Sequence, residues 1–239
     1  MAIYAISDLH LALSIDKPMD VFGGRWENYM DRLQENWRAV VGDDDYVLVP
    51  GDISWATYLE QAFEDFSFID ALPGKKIISK GNHDYWWTTK SKLEQYIGQN
   101  GFSSITFMHN NSYMIDGVSI CGTRGWNVPG EDDFSAEDVK IYQRELQRLE
   151  LSLKSINPEG SINPSEKGPI ITALHYPPFT SKGLFSDAMD ILQKYNVSIC
   201  IYGHLHGEAS RNAVVGLRNG IEFRLVSADY LGFKPVRLI

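Results

Sequence analysis

Asn82, His83 and Asp84 place an amide oxygen, an imidazole and a carboxylate at three consecutive positions, directly after Gly81. They follow the short apolar run 76–80, which reads as a buried strand. A buried polar group without a partner costs several kcal/mol, so a turn this polar does not serve packing alone. We therefore expect the partners of these three side chains elsewhere in the chain.

Four other apolar runs also end in side chains that bind metals or transfer protons. These side chains are Asp8 and His10, Asp52, His175, and His204 with His206. Of the six histidines, only His109 lies outside these five strand ends, and we interpret it as a surface or turn residue. Because ligands bind at the carboxyl ends of strands in such sheets, we expect the five strand ends to meet in one pocket.

Divalent metal ions account for this set of residues. Imidazole and carboxylate ligands suit Mn, Fe, Zn, Ni or Co, whereas Mg²⁺ prefers more oxygen ligands. Seven of these side chains are candidate ligands: Asp8, His10, Asp52, Asn82, His175, His204 and His206. They exceed the four ligands of a tetrahedral zinc site, and they fit two metals that share a carboxylate. Asp8 and His10, like His204 and His206, are two residues apart, so each pair points the same way if its backbone is extended.

In five blocks the sequence resembles the calcineurin-like metallophosphoesterase family. The blocks are Asp8-Leu9-His10, Gly51-Asp52, Gly81-Asn82-His83-Asp84, Leu174-His175-Tyr176-Pro177-Pro178 and Gly203-His204-Leu205-His206, and they span most of the chain in the family's order. The resemblance implies two metal sites that share Asp52 as a bridging ligand. One site would consist of Asp8, His10, Asp52 and His206, and the other of Asp52, Asn82, His175 and His204. His83 would be the catalytic histidine and Asp84 the residue that orients it.

The same resemblance implies a fold and an activity. The fold is α/β (α+β), a two-sheet β-sandwich with mixed sheets flanked by helices. The activity is hydrolysis of a phosphoester by a hydroxide that two divalent or trivalent metal ions activate, with His83 assisting the leaving group. Gly51-Asp52 continues into Ile53-Ser54-Trp55 without the arginine of the protein Ser/Thr phosphatase branch. The chain is closer to the bacterial phosphodiesterase-like branches, so we expect a small phosphodiester or phosphomonoester as substrate.

Two alternative functions use the same fold. A nuclease of the superfamily would need a cluster of Lys and Arg for phosphate contacts, and the chain has a net charge of −9 and no such cluster. A non-enzymatic metal-binding scaffold could dispense with His83, yet the predicted set is complete. A metallo-β-lactamase-like hydrolase is not expected, because Gly207-Glu208 follows His206 in place of that family's next ligands.

Length and composition indicate one soluble domain over residues 1–239. No apolar run approaches the ~20 residues that cross a membrane, and the N-terminus does not read as a signal peptide. Cys121 and Cys200 lie in apolar runs and are predicted to be buried free thiols in a reducing compartment, which indicates a cytoplasmic protein.

Strands and helices alternate along the first hundred residues. Apolar spacing predicts helices over 26–40, 55–69 and 88–97, and later over 139–153, with Ser135 as N-cap, and 185–195. From Ile105 onward we expect antiparallel strands, with Asp116-Gly117 as a hairpin turn. The segment 157–168 is predicted to be a loop, and the stretches 170–174, 197–202 and 221–226 to be strands.

Some assignments stay open at this level. Arg25 and Arg124 could bind a phosphate or be ordinary solvated arginines. Trp55, Trp86, Trp87 and Trp126 could wall a pocket, although packing of helices on the sheet is the favoured interpretation. The physiological substrate, the native metals and the oligomeric state are not assigned.

Overall fold

A computed structural model of the protein describes residues 1–17, 19–156 and 168–239. Its helices are α1 (Tyr29–Val40), α2 (Phe63–Asp70), α3 (Lys90–Asn100), α4 (Ala136–Lys154) and α5 (Ala188–Lys194). Its strands are β1 (Ile3–Ala5), β2 (Tyr46–Pro50), β3 (Lys75–Ser79), β4 (Ile105–Phe107), β5 (Tyr113–Ile115), β6 (Val118–Thr123), β7 (Ile170–Leu174), β8 (Ile199–Tyr202), β9 (Gly216–Arg218), β10 (Ile221–Leu225) and β11 (Val236–Arg237). The predicted loop 157–168 lies outside the described residues, apart from Gly168.

The chain divides into two compact units. Unit 1 comprises Met1–Phe107 and Val226–Ile239, and unit 2 comprises Met108–Leu225. Each unit contains one mixed sheet and its helices, so the predicted α/β class with two mixed sheets flanked by helices is confirmed. The assignment of residues 1–239 to a single domain stays a prediction.

The sheet of unit 1 has the strand order β11-β1-β2-β3-β4. β1 to β4 are parallel and β11 joins β1 in antiparallel orientation. Parallel strands are covered on both faces, which explains the nearly continuous apolar runs of β2 and β3. Trp37 of α1 and Phe66 of α2 are fully buried in the core of this unit, together with Val49 and Ile78 of the sheet.

Three sequence predictions for unit 1 need correction. β4 pairs with β3 in parallel, because α3 forms a crossover between them, so the antiparallel region begins only at β5. α1 begins at Tyr29, since Trp26 belongs to a separate 3₁₀ turn. α2 begins at Phe63, since another 3₁₀ turn precedes it and Trp55 lies in the loop before that turn.

A buried lysine occupies the end of this sheet where β3 begins. Lys76 has no exposed surface, and its ammonium donates to the carbonyl of Asp70 at the end of α2, to that of Leu72 just past it, and to Ser104 Oγ at 2.9 Å. A cation at the C-terminal end of a helix is favourable because of the helix dipole. Burial nevertheless disfavours the charged form and lowers the pKa of Lys76 to about 8.

The sheet of unit 2 has the strand order β5-β6-β7-β8-β10-β9. β6, β7, β8 and β10 are parallel, and the edge strands β5 and β9 are antiparallel. Asp116 and Gly117 both adopt positive φ between β5 and β6, which confirms the predicted hairpin. Ser135 and Asp138 form a capping box at the start of α4, which confirms the predicted N-cap.

Cys121 and Cys200 are buried free thiols in unit 2, as predicted. Burial raises the pKa of both thiols. Across the described residues, no helix has both the length and the apolar character needed to cross a bilayer.

Candidate functional site

The loops that follow β1 and β2 run side by side at the carboxyl edge of the unit 1 sheet. The N–H of Asp8 donates to the carbonyl of Gly51 at 3.0 Å, and the N–H of His10 donates to the carbonyl of Asp52 at 3.0 Å. Parallel neighbouring strands end at the same edge, so Asp8, His10 and Asp52 are brought to one place.

The backbone at these residues is left-handed. Asp8 has φ 58°, His10 φ 47° and Asp52 φ 52°. The extended backbone on which a shared direction of Asp8 and His10 depended is therefore not present. Left-handed conformations at non-glycine residues cost about 1–3 kcal/mol each and concentrate at functional sites, where surrounding bonds maintain them. The close cross-loop hydrogen bonds supply that support here.

Asp8, His10 and Asp52 form a buried cluster of metal-ligating atoms. A carboxylate oxygen of Asp8 lies within 4.8 Å of a ring nitrogen of His10 and within 4.8 Å of a carboxylate oxygen of Asp52. His10 Nε2 is 3.8 Å from Asp52 Oδ2, and all three residues are less than 5% exposed. Two buried carboxylates this close repel each other unless a cation lies between them. The donor set thus fits a transition-metal ion.

Two serines orient the Asp8 carboxylate. Ser7 Oγ and Ser227 Oγ both donate to Asp8 Oδ2, the second at 3.1 Å. Ser227 reaches this position because Ser7 and Ser227 pair in a short parallel bridge. Such bonds to the oxygen of a ligating carboxylate fix its orientation for metal binding.

Asp84 is fully buried and connects two backbone segments, residues 52–54 and Gly81. Its carboxylate accepts hydrogen bonds from the N–H groups of Asp52, Ile53 and Gly81 at 2.7–2.9 Å. It accepts a longer one from Ser54 N–H at 3.4 Å and another from the Trp86 indole at 3.1 Å. Burial raises the pKa of Asp84 to about 6, while the backbone donors act in the opposite direction. Through these bonds, Asp84 holds the Asp52 loop in position against the Gly81 loop.

Position 81 must be glycine because there is no room for a side chain, and not because of its backbone conformation. A Cβ at this position would lie 2.1 Å from Asp52 Oδ1 and 2.3 Å from Asp52 N. No side chain fits at that distance. The glycine that opens the Gly81-Asn82-His83-Asp84 block is therefore explained by the close approach of Asp52.

His83 lies directly beside this cluster. Its backbone N–H donates to Asp52 Oδ1 at 2.8 Å, and its ring centroid is 5.6 Å from that of His10. The Trp55 indole packs against both imidazoles, at 4.3 Å from His83 and 4.8 Å from His10. His83 and its neighbour Asn82 are half-buried, so both side chains are accessible from solvent.

A second group of predicted ligands lies at the carboxyl edge of the unit 2 sheet. His175 follows β7 and is fully buried, and His204 and His206 follow β8 and are half-buried. The ring centroids of His175 and His204 are 5.2 Å apart. His204 has φ 71°, so this pair of histidines is not extended either. The Tyr176 ring packs against His204 at 4.2 Å.

The two arginines whose role the sequence left open lie in different environments. Arg25 is exposed. Arg124 is mostly buried, stacks on the Trp126 ring at 4.3 Å and lies 3.5 Å from Glu145 Oε1. Its carbonyl accepts the N–H groups of His175 and Tyr176, so the Arg124 backbone supports the turn that carries His175.

The four tryptophans also differ in what their rings contact. Trp86 is buried and packs against Phe66, and Trp87 packs against Phe107, which agrees with the packing interpretation. Trp126 donates its indole N–H to Asp138 Oδ1 at 2.8 Å. Trp55 instead packs on two predicted site histidines. His109 is half-buried in a bend after β4.

Sequence reasoning missed Ser7, Ser227 and Tyr176 as neighbours of the predicted ligands. Ser7 and Tyr176 each adjoin a predicted ligand and could have been proposed for that reason. Ser227 lies far from Asp8 along the chain, and no local pattern links the two residues.

Among known proteins, a family model and two solved structures resemble this chain. A family model described as calcineurin-like phosphoesterase matches residues 1–208, a range that contains all five sequence blocks. No curated protein matches the chain. A solved structure of a protein of unknown function from Aquifex aeolicus, AQ665, is 17% identical, with 99% of this chain and 95% of that chain covered and a TM-score of 0.51. The phosphopantetheinyl hydrolase PptH from Mycobacterium tuberculosis is 14% identical, with 100% and 95% covered and a TM-score of 0.56. At these identities the two structures show a shared fold.

Proposed function

Because the chain belongs to the calcineurin-like phosphoesterase family, we propose that it hydrolyses a small phosphodiester or phosphomonoester with two bound metal ions. The family supports metal-dependent hydrolysis of phosphoesters in general. The observation that carries the proposal for this chain is the buried cluster of Asp8, His10 and Asp52, whose two close carboxylates call for a cation. One structural neighbour is named a phosphopantetheinyl hydrolase, which agrees with a small-molecule substrate.

The proposed metal ligands are the seven residues predicted from the sequence. Asp8, His10, Asp52 and His206 would hold one ion, and Asp52, Asn82, His175 and His204 the other. Bound metal ions of this kind supply Lewis-acid stabilisation of phosphoryl oxygens and lower the pKa of water. Ser7 and Ser227 would keep the Asp8 carboxylate in one orientation for binding.

His83 is the proposed proton donor to the leaving oxygen. Its backbone is held by the Asp52 carboxylate, and its ring is packed against Trp55, so the imidazole is positioned before substrate arrives. The Asp84 carboxylate accepts hydrogen bonds from the backbones of the Asp52 and Gly81 loops, which favours a positioning role for this residue. A positioned general acid contributes roughly 10²–10⁴-fold to the rate.

The experiment compares p-nitrophenyl phosphate with bis-p-nitrophenyl phosphate as substrates. Metal-stripped protein would be reloaded with Mn, Ni, Co, Zn or Mg, and metal content measured by mass spectrometry. We expect turnover that depends on metal, that falls at least about 100-fold in His83→Ala, and that leaves the metal content of that variant unchanged. Asp52→Asn should lose metal from both sites.

Two results would contradict parts of the proposal. Loss of metal in His83→Ala would make His83 a ligand and not a proton donor. No hydrolysis of either ester by protein that holds two ions per chain would argue against the activity itself.

A further inference from the structure

The Tyr176 ring lies directly against two predicted metal ligands of unit 2. Its centroid is 4.2 Å from that of the His204 imidazole, and the two ring planes are 35° apart. It meets the His175 imidazole at 5.4 Å and nearly at a right angle. Tyr176 follows His175 in the chain, whereas His204 comes from the loop after β8, so the ring connects the two loops that carry these histidines.

The segment that follows β6 packs along Tyr176. The Arg124 carbonyl accepts the N–H of Tyr176 at 2.9 Å, and the Trp126 ring lies 5.2 Å from the Tyr176 ring. A Cβ at Gly125 would lie 3.3 Å from Tyr176 Cβ, so the backbone of the segment also comes close. The segment therefore contacts both the backbone and the ring of Tyr176 and limits the movement of the ring.

Polar contacts hold this segment on α4. The Trp126 indole donates to Asp138 Oδ1 at 2.8 Å, and Asp138 belongs to the capping box of α4. The Arg124 guanidinium stacks on the Trp126 ring at 4.3 Å and lies 3.5 Å from the carboxylate of Glu145, which is buried on α4. The helix thus supports Trp126 and, through it, the ring that contacts His204.

We propose that Tyr176 is a positioning residue that holds the His204 imidazole in the orientation in which it binds a metal ion. This inference rests on the proposed function. An imidazole that rotates freely must be ordered when it binds, so a ring that restricts it raises the affinity for the metal. A metal-bound imidazole is also electron-poor, and the electron-rich face of a phenol ring attracts such a group.

The test titrates metal-stripped protein with Zn²⁺ by calorimetry, and His204→Gln identifies which of the two binding steps depends on His204. Loss of a group that orients a ligand typically weakens metal binding by 10–100-fold, so Tyr176→Leu should weaken this step about tenfold or more and the other step less than about twofold. Tyr176→Phe should keep the wild-type affinity, since it retains the ring. Unchanged affinities in Tyr176→Leu, equal weakening of both steps, or the same loss in Tyr176→Phe would overturn the proposal.

Tyr195→Leu is the matched control. Tyr195 is also a half-buried tyrosine of unit 2, but it precedes β8, whereas His204 follows that strand. Both substitutions replace one half-buried phenol ring of the same unit. Each titration is run at a temperature at which circular dichroism shows the variant to be folded. A similar loss of Zn²⁺ affinity in Tyr195→Leu would assign the effect to general destabilisation and overturn the proposal.

A readout that needs no metal follows from the ring contact. NMR of metal-stripped protein with ¹³C-labelled histidine gives ring signals for the six histidines, and the signal absent from His204→Gln belongs to His204. The Tyr176 ring should shift this signal upfield in the wild type and in Tyr176→Phe, and the shift should be lost in Tyr176→Leu. A wild-type His204 signal at the position of exposed histidines would overturn the proposal. Wild-type protein that binds fewer than two Zn²⁺ ions and shows no metal-dependent turnover would instead refute the proposed function, so the two failures are distinguishable.

Discussion

Gly81→Ala tests whether the packing of two loops, not the identity of the ligands alone, builds the metal cluster. The new Cβ would lie 2.1 Å from Asp52 Oδ1, 2.3 Å from Asp52 N and 2.8 Å from Asp52 Cγ. Carbon and oxygen or nitrogen atoms in contact need ~3.5 Å, so one of the two loops must move by more than ~1 Å.

The cost follows from what that movement breaks. Overpacking of a tight site costs about 1–3 kcal/mol. Separation of the loops also weakens the hydrogen bonds that Asp84 accepts from the N–H groups of Asp52 and Gly81, and a bond to a charged group contributes about 1.5–3 kcal/mol. We therefore expect Gly81→Ala to lower the free energy of unfolding by roughly 3–6 kcal/mol, a large part of the ~5–15 kcal/mol of a typical domain.

Gly98→Ala provides the control. Gly98 lies inside α3, and no atom lies within 4 Å of where its Cβ would stand. Alanine is preferred to glycine in a helix by about 0.5–1 kcal/mol, so this variant should be slightly more stable than the wild type. Urea unfolding gives both free energies, and metal titration of Gly81→Ala at a temperature where it remains folded gives its affinity. Free energies within about 1 kcal/mol for wild type and Gly81→Ala, with equal metal affinity, would refute the reasoning.

Three other substitutions test separate parts of the fold. The free energy of unfolding of the wild type should rise by up to about 3 kcal/mol between pH 8 and 10.5 because of Lys76, and Lys76→Met should abolish this rise. The measurement is the difference between the unfolding free energies of the two proteins across that pH range. In that range the unfolded chain binds the proton that folded Lys76 has lost, so unfolding becomes less favourable as the pH increases; a pH-independent difference would contradict this. Ser135→Ala removes the N-cap of α4 and should cost about 1 kcal/mol in urea unfolding, and an unchanged free energy of unfolding would contradict this role of the cap. Gly117→Ala, at φ 80° with no atom within 4 Å, should cost about 1–2 kcal/mol from backbone strain alone, and a neutral result would show that the hairpin turn adapts.

The sequence predicted the family and the candidate ligands because that information is local. Each block follows an apolar run, and a polar turn after a buried strand is visible without knowledge of the fold. The Asp116-Gly117 turn and the Ser135 cap were predictable for the same reason, since both depend on residues within one turn of the chain.

The predictions that failed depend on information that no single segment contains. Parallel pairing of β4 with β3 required knowing that α3 crosses over between them. The role of Ser227 depends on a bridge to Ser7 from the other end of the chain. The left-handed backbone at Asp8 and His10 is intrinsically unfavourable, so propensities cannot predict it.

These failures share one physical cause at the site. Left-handed turns at Asp8, His10 and Asp52 are maintained by hydrogen bonds between loops, and Asp84 accepts the bonds that hold the Asp52 loop against Gly81. A buried carboxylate that accepts several backbone N–H groups fixes those groups more strongly than a neutral residue could. The cluster of Asp8, His10 and Asp52 is consequently positioned by the fold itself, so a metal ion need not pay for ordering the loops when it binds. The position of Gly81 and the burial of Asp84 are thus as much a part of the candidate metal site as the ligands.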